Sequence, residues 1–380
     1  MDRPLRIALA NSGRRWIGEV AHVAMLYEQL ERLGHEPWLI CRADRPLHEQ
    51  ARERNWRILP LRFEHAFSVG ADARDVLAWR RLVRERKIDL IHCHRGKDHW
   101  MGWVVARLTG RPLIRTRHVV MPVRRHPLNR WLYLHGTEAV LSVSRAAESG
   151  FGAWSEDLPR RRVVLAAVNA ERFHPRRRSA EWRRRHVAAP WRAPDAGAPL
   201  WFGLIGRYQR VKGHDVFLEA AARVAARVPE AHFLIAGQGP PGQRAKRRRL
   251  AGQLGIADRV WIAGHLGNLA KVLASLDVGV IASRGSEGSS RIALEMMAAG
   301  LPLAATRVGG IPELVEPCGC ARVVPADDPE ALADAMLAWA RDPAARQRAG
   351  EAGRRRVLAR HTPRRWAEQM VQVYREVLLG

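Results

Sequence analysis

Glu287 and Glu295 stand at the two ends of the run EGSSRIALE. The first falls in a Gly/Ser turn, and the second comes about two helical turns later on a helix that carries Ile292, Leu294, Met296 and Met297. One acid can then stand at the mouth of a cleft and the other along its wall. A turn of small residues opening a helix presents unspent backbone N–H groups and the positive end of the helix dipole. Ser289, Ser290 and Arg291, preceded by Gly288, therefore read as a cradle for a phosphate or diphosphate. Carboxylates beside such a cradle would hold hydroxyl groups. An amphipathic helix with a solvated glutamate at each end would show the same two residues, because charged side chains are mostly exposed. The residues that follow weigh against that simpler reading.

After the second glutamate come Gly300-Leu301-Pro302, an apolar strand from Leu303 to Ala305, and the turn Gly309-Gly310-Ile311-Pro312-Glu313. Paired glycines there let the backbone approach a ligand closely before a new helix begins. The order is strand, phosphate turn, helix, strand, glycine turn, helix. This stretch resembles the donor-site signature of retaining nucleotide-sugar glycosyltransferases of the GT-B fold, glycosyltransferase family 4 in particular, whose paired glutamates this chain carries as Glu287 and Glu295.

The resemblance implies an α/β protein of GT-B architecture: two doubly wound parallel-sheet Rossmann-like domains facing a central cleft. It implies transfer of a sugar from a nucleotide diphosphate-sugar to an acceptor hydroxyl, with retention at the anomeric carbon. Other segments extend it. A strand from Leu200 to Ile205 runs into Gly206-Arg207-Tyr208-Gln209-Arg210-Val211-Lys212-Gly213. In the family, the arginine and lysine of this pattern neutralise the donor diphosphate, which assigns that role to Arg207 and Lys212. Bond cleavage leaves charge on the departing nucleoside diphosphate, and fixed cations stabilise it. Replacing Lys212 is expected to reduce turnover far more than stability. Glu287 is expected to read the sugar hydroxyls and Glu295 the ribose. The strand Phe233 to Ala236 ends at Gly237, and Val260 to Ala263 leads into Gly264 and His265, which in relatives lie near the nucleotide base.

The N-terminal half alternates in the same way, with strands at Leu5 to Ala10, Trp38 to Cys41 and Ile88 to His92, and helical spacing over Gly18 to Leu33 and Trp100 to Thr109. Ligands of open parallel sheets sit beyond the carboxyl ends of the strands. Gly18 falls at that position after the first strand; relatives carry two adjacent glycines, and this chain has Glu19 as the second. His118 ends the strand Ile114-Arg115-Thr116-Arg117, where similar transferases place a histidine facing the donor sugar. His92 and His94, with His99 close behind, could in principle ligate a metal. No further ligands follow at a recognisable spacing, so these strand-end histidines are expected to line an acceptor pocket instead. No Asp-x-Asp occurs, which argues against the metal-dependent GT-A type; no metal and no cofactor beyond the donor substrate are expected.

Four cysteines in 380 residues, with Cys318 and Cys320 separated by a single residue, match neither a zinc ribbon nor a redox motif. The expected organisation is an N-terminal acceptor-side domain over 1–174, a polar, proline-rich linker over 175–199, a donor-binding domain over 200–362, and a C-terminal helix over 363–380 crossing back to the first domain.

Lysine and arginine total 64 against 38 acids, a net charge of +26, and such a field attracts anionic surfaces. Val119 to Leu134 mixes cations with aromatics in the manner of an interfacial helix, with Arg124, Arg125, Arg130 and Trp131 as candidates for acceptor or membrane contact. With no apolar run of the ~20 residues needed to span a bilayer, and a strand at the N-terminus, the expected location is the cytoplasm, with peripheral attachment to the anionic inner face of the membrane. The expected partners are a nucleotide-sugar donor and a glycan or glycolipid acceptor; the N-terminal half, in IHCHRGKDHW and RTRHVVMPVRRHPLNRWLY, resembles transferases of lipopolysaccharide core or related envelope glycans. Two other classes share some of these features. A nucleotide-sugar epimerase of the same fold would act on a donor with no acceptor, and a nucleic-acid-binding protein would use the charge alone, although no basic groove interleaved with stacking aromatics is organised as a recognised module.

Overall fold

The computed structural model describes residues 3–64, 68–123, 126–186, 198–285 and 287–380. They form two α/β units, Met1–Ala166 with Pro363–Gly380, and Ala167–Thr362.

The first unit begins with β1 (Arg6–Asn11), α1 (Gly18–Arg32), β2 (Glu36–Arg42), α2 (Pro46–Glu53), β3 (Ile58–Leu61) and α3 (Val69–Glu85). It continues with β4 (Leu90–Cys93), α4 (Gly96–Thr109), β5 (Leu113–Arg117), α5 (Pro127–His135), β6 (Ala139–Ser142), α6 (Arg145–Glu148) and β7 (Arg162–Val163). Its strands form a parallel sheet in the order β3-β2-β1-β4-β5-β6-β7. Strands β4, β5 and β6 are buried along their whole length, as expected of parallel strands covered on both faces. Phe63, Trp79, Ile91 and Val105 form part of the core beneath α3 and α4.

The second unit contains α7 (Ala180–Arg185), β8 (Leu200–Ile205), α8 (His214–Ala225), β9 (Ala231–Ala236), α9 (Gln243–Gln253), β10 (Val260–Ala263), α10 (Leu269–Ser275) and β11 (Val278–Ile281). Then follow α11 (Arg291–Ala298), β12 (Leu303–Thr306), α12 (Ile311–Val315), β13 (Ala321–Val324), α13 (Pro329–Arg341) and α14 (Pro343–Arg360). The sheet order is β10-β9-β8-β11-β12-β13, again parallel, with Phe202, Phe217 and Phe233 at the heart of its core. Both orders reverse beside the first strand of the unit, at β1/β4 and at β8/β11. That reversal opens the sheet edge where ligands of this architecture bind.

The final helix, α15 (Pro363–Leu379), belongs to the first unit, with Trp366 and Tyr374 fully buried there. The units divide earlier than residue 174. The Val168 amide donates to the His361 carbonyl at 2.9 Å and Arg354 reaches the Phe173 carbonyl at 3.2 Å, tying this segment to the second unit.

In the segment 119–134, read as one interfacial helix, the described residues are helical from Pro127 onward and not over 119–123 or at His126. A residue before proline is pushed out of the helical region, and His126 is extended while its ring accepts the Leu128 amide. Arg124 and Arg125 lie outside the described residues. Among those described, no helix is long and apolar enough to cross a membrane.

Candidate functional site

In the second unit the loops leaving β8, β11 and β12 meet at the sheet reversal. Gly213 adopts φ +62, and a Cβ there would stand 1.8 Å from the Ala282 carbonyl, so the loop after β8 lies directly against the exit of β11. This places the ammonium of Lys212 in an ion pair with the carboxylate of Glu287, which is 5% exposed. The Ser283 hydroxyl donates to the same carboxylate oxygen at 2.6 Å. The loop after β12 closes the arrangement: the Gly310 amide donates to the Glu287 carbonyl at 2.7 Å. Gly309, at φ +54, comes so near that a Cβ would be 2.1 Å from that oxygen.

Ser290 precedes α11 in the left-handed region, at φ 33 and ψ 60, an unusual conformation for a residue with a side chain. The first helical bond runs from the Ala293 amide back to the Ser290 carbonyl at 2.9 Å, so the earlier amides are not spent within the helix. The Ser290 hydroxyl is buried without a hydrogen-bond partner, and Gly288 and Ser289 beside it are half-buried. Glu295 is 6% exposed and accepts from Arg291 Nε at 2.9 Å. Burial pushes its carboxyl above the ordinary range, with Arg291 offsetting part of the shift. Arg207 is exposed and makes no ion pair among the described residues. Gly206 lies against the Lys212 side chain, Gly237 packs on the Gly206 carbonyl, Gly264 lies beside Arg244, and His265 is exposed.

In the first unit, a buried carboxylate organises the loops on either side of the sheet reversal. Asp98, with no exposed surface, accepts the Ser12 hydroxyl at 2.7 Å, the His94 amide at 2.8 Å and the Arg95 amide at 2.9 Å. Gly18, the first residue of α1, is exposed with open space around it. Glu19, where the family resemblance led us to expect a second glycine, turns its carboxylate to Asn11 at 2.9 Å and Arg95 at 3.2 Å. Burial raises that carboxyl above its usual range, and Arg95 opposes the shift.

The histidines do not group as their spacing suggested. His92 is fully buried, bonded through its two ring nitrogens to Tyr374 at 2.8 Å and Thr116 at 2.7 Å, so it is a core residue and does not line an acceptor pocket. His99 is also buried and bonds Thr137 at 2.9 Å. His94 instead meets His118, with Nδ1 and Nε2 3.1 Å apart, and the ring of His22 from α1 lies 4.6 Å from that of His118. Burial holds the rings of His92, His94, His99 and His118 well below the usual imidazole range. On α5, Trp131 is partly exposed and packs edge-on against Trp103, while Arg130 is exposed and approaches Asp157 at 3.8 Å.

Two family models match this chain, "Glycosyltransferase Family 4" over residues 18–172 and "Glycosyl transferases group 1" over residues 199–342. It is 30% identical to the D-inositol 3-phosphate glycosyltransferase of Saccharomonospora viridis over 76% of this chain and 70% of the relative. The chain belongs to glycosyltransferase family 4. Solved structures agree at the level of the fold. A glycosyltransferase from Rickettsia africae superposes with a TM-score of 0.86 at 17% identity, covering 99% of each chain. Anabaena HepE in complex with UDP superposes with a TM-score of 0.81 at 16% identity, covering 98% of this chain and all of the other.

Within this family 4 glycosyltransferase, the group 1 match contains Arg207, Lys212, Glu287, Ser290 and Glu295, and the structure brings Lys212 and Glu287 into contact. Three contributors escaped the sequence reading. Ser283 is one serine among many in small-residue turns, and its contact with Glu287 depends on the turn between them. His22 gives no signal because it sits inside a helix with ordinary apolar spacing. Asp98 leaves a weak one, an acid three residues into α4, where it can bond the backbone that opens the helix.

Proposed function

We propose that this glycosyltransferase moves a sugar from a nucleotide diphosphate-sugar to an acceptor hydroxyl with retention of anomeric configuration, through the β8/β11 reversal of its second unit. The observation that carries this reading is the Lys212–Glu287 ion pair beside the uncapped start of α11. A half-buried cation paired to a buried acid, next to unspent amides and an unpartnered Ser290 hydroxyl, is an arrangement waiting for both an anion and hydroxyl groups.

In this reading Lys212 and the exposed Arg207 neutralise the diphosphate, and the amides at Ser289 and Ser290 support it, so that no divalent ion is needed for the leaving group. Glu287 accepts from sugar hydroxyls and Glu295 from the ribose. The bond between the anomeric carbon and the phosphate oxygen breaks, and its electron pair goes to the phosphate. The acceptor oxygen bonds the anomeric carbon from the same face, and its proton passes to the departing phosphate oxygen. Cations fixed before the reaction stabilise that charge without reorganising.

The acceptor we infer is anionic, of the envelope glycan or glycolipid kind, approached from a cytoplasmic membrane face. The net charge of +26 supports an anionic acceptor, as does the inositol 3-phosphate in the name of the Saccharomonospora relative. Exposed Leu128 and Trp131 beside Arg130 on α5 support contact with a lipid surface. The test is to incubate the protein with UDP-, GDP- and ADP-sugars and phosphorylated or lipid-linked acceptors, and to read the product linkage by NMR. An axial donor giving an axial product supports the reading; inversion, or epimerised donor without transfer, overturns it.

A further inference from the structure

His22, His94 and His118 converge in the first unit from three elements: α1, the residue after β4, and the residue after β5. One ring nitrogen from each lies within 4.8 Å of the others. His22 stands edge-on to His118 at 87° and to His94 at 62°. His94 Nδ1 and His118 Nε2 face each other at 3.1 Å.

Two facing imidazole nitrogens at that separation either share one proton or direct two lone pairs at a cation. Bonds of about 2.0–2.1 Å to a tetrahedral ion place ligand nitrogens about 3.3 Å apart; the His94–His118 pair stands near that spacing at 3.1 Å, and the His22 ring, within 4.8 Å, closes on the ion as it binds. Further features distinguish the group from an ordinary buried histidine. The second nitrogen of His94, Nε2, is buried and has no hydrogen-bond partner, which is costly unless a ligand reorders the ring contacts. The backbone of His94 is fixed by Asp98, which accepts its amide at 2.8 Å. Trp366 packs edge-on against His22 at 4.5 Å, and His92, held by Tyr374 and Thr116, lies 4.2 Å from the His94 ring, so the group is walled by aromatic side chains.

We propose that His22, His94 and His118 bind one divalent transition-metal ion of the zinc class. Three imidazoles without a carboxylate or thiolate suit Zn²⁺, Co²⁺ or Cu²⁺ and exclude Mg²⁺ and Ca²⁺, which take oxygen ligands. His118 is partly exposed, so the fourth position opens outward to a water or a hydroxyl oxygen. Bound there, the ion ties the start of α1 to the ends of β4 and β5. The inference goes beyond the transferase reading, which rests on residues of the second unit, and it moves His118 from the donor sugar to the metal.

The test uses the full-length protein stripped with a chelator and titrated with Co²⁺. The expected result is a visible absorption band of tetrahedral type that saturates at one ion per chain, is displaced by Zn²⁺, and accompanies a rise in melting temperature. His22→Ala and His118→Ala each abolish the band, while His35→Asn, outside the group, retains it. His118→Ala changes the most exposed of the three, and its circular dichroism shows whether the fold persists. The proposal is overturned if neither ion binds, or if the band survives in a folded His118→Ala or His22→Ala. A nucleotide-induced thermal shift on the same metal-free samples keeps the two readings apart: a shift with no metal bound removes only the metal proposal, and metal binding with no shift removes only the donor site.

Discussion

In the second unit, the ammonium of Lys212 rests on the carboxylate of Glu287, and the Ser283 hydroxyl donates to the same oxygen at 2.6 Å. The two charged residues come from loops after neighbouring strands, β8 and β11, and both are largely buried. Lys212 is therefore more than a cation awaiting a phosphate, and its removal strands a buried carboxylate.

Lys212→Met should consequently destabilise the protein by up to about 3 kcal/mol, against the sequence expectation that turnover suffers far more than stability. Glu287→Gln in the same background should recover part of that loss, with a coupling of roughly 0.5–3 kcal/mol in a double-mutant cycle. Turnover should stay roughly 100-fold or more below wild type in all three proteins. Denaturant unfolding and steady-state rates check this; additive stabilities with near-normal turnover would contradict it.

Gly309→Ala should cost both strain and function. The residue sits at φ +54 with the Glu287 carbonyl where a Cβ would go, so Glu287 must move. Gly255, at φ +70 with open space around it, provides the control. Gly255→Ala should cost only about 1–2 kcal/mol of backbone strain and leave nucleotide binding intact, while Gly309→Ala weakens binding as well. Equal nucleotide affinity in both variants would remove Gly309 from the site.

Glu295→Gln separates stability from recognition. The Glu295 carboxyl lies above its usual range because it is buried, with Arg291 only partly compensating. The native state thus holds this proton more tightly than the unfolded chain, and the contribution to stability falls as pH rises through the carboxylate range. Replacement by the neutral amide should leave the melting temperature at neutral pH unchanged or raised. It should also erase discrimination between whichever of UDP, GDP and ADP binds and its 2′-deoxy form, measured by calorimetry. Discrimination that survives the substitution would take the ribose away from Glu295.

Buried histidines set an acid-side limit. Burial, with Arg115 adding to it, holds His99 well below the imidazole range, and burial with Arg247 holds His214 at about 4. Below about 6.5 the unfolded chain binds protons these sites refuse, so stability present at neutral pH is lost as pH falls. The slope should be about 1.4 kcal/mol per pH unit for each histidine until the folded value is reached. Unfolding followed between about pH 7 and pH 5 should show that slope reduced in His214→Asn; an unchanged slope would contradict it.

The grouping of residues in the second unit was readable because its contacts are local. Glu287 and Glu295 are separated by one turn and one short helix, and Arg207 and Lys212 lie in one loop, so spacing along the chain nearly determines spacing in space. The first unit was less readable because its contacts come from residues far apart. His94 pairs with His118 across neighbouring strands, while His92, one strand residue away, points to Tyr374 in the last helix. Alternation along a strand puts residues two apart on the same face, and the two rings do lie 4.2 Å from each other; what separates their fates is the partner each meets, the last helix for His92 and the end of β5 for His94, neither of which is near in sequence. Glu19 fits where a second glycine was expected because Asn11 and Arg95 take up its carboxylate, and neither partner is adjacent in sequence.

The central claim is tested most directly by titrating UDP, GDP and ADP calorimetrically into the wild-type protein and Arg207→Ala. Arg207 is exposed and makes no ion pair among the described residues, so its loss should leave the fold unchanged. The account predicts that one nucleotide binds with a stoichiometry of one and that Arg207→Ala weakens it by roughly 10-fold or more, the equivalent of a lost charge-assisted phosphate contact. Absence of binding by all three nucleotides, or binding equally tight in Arg207→Ala, would contradict the donor site placed at the β8/β11 reversal.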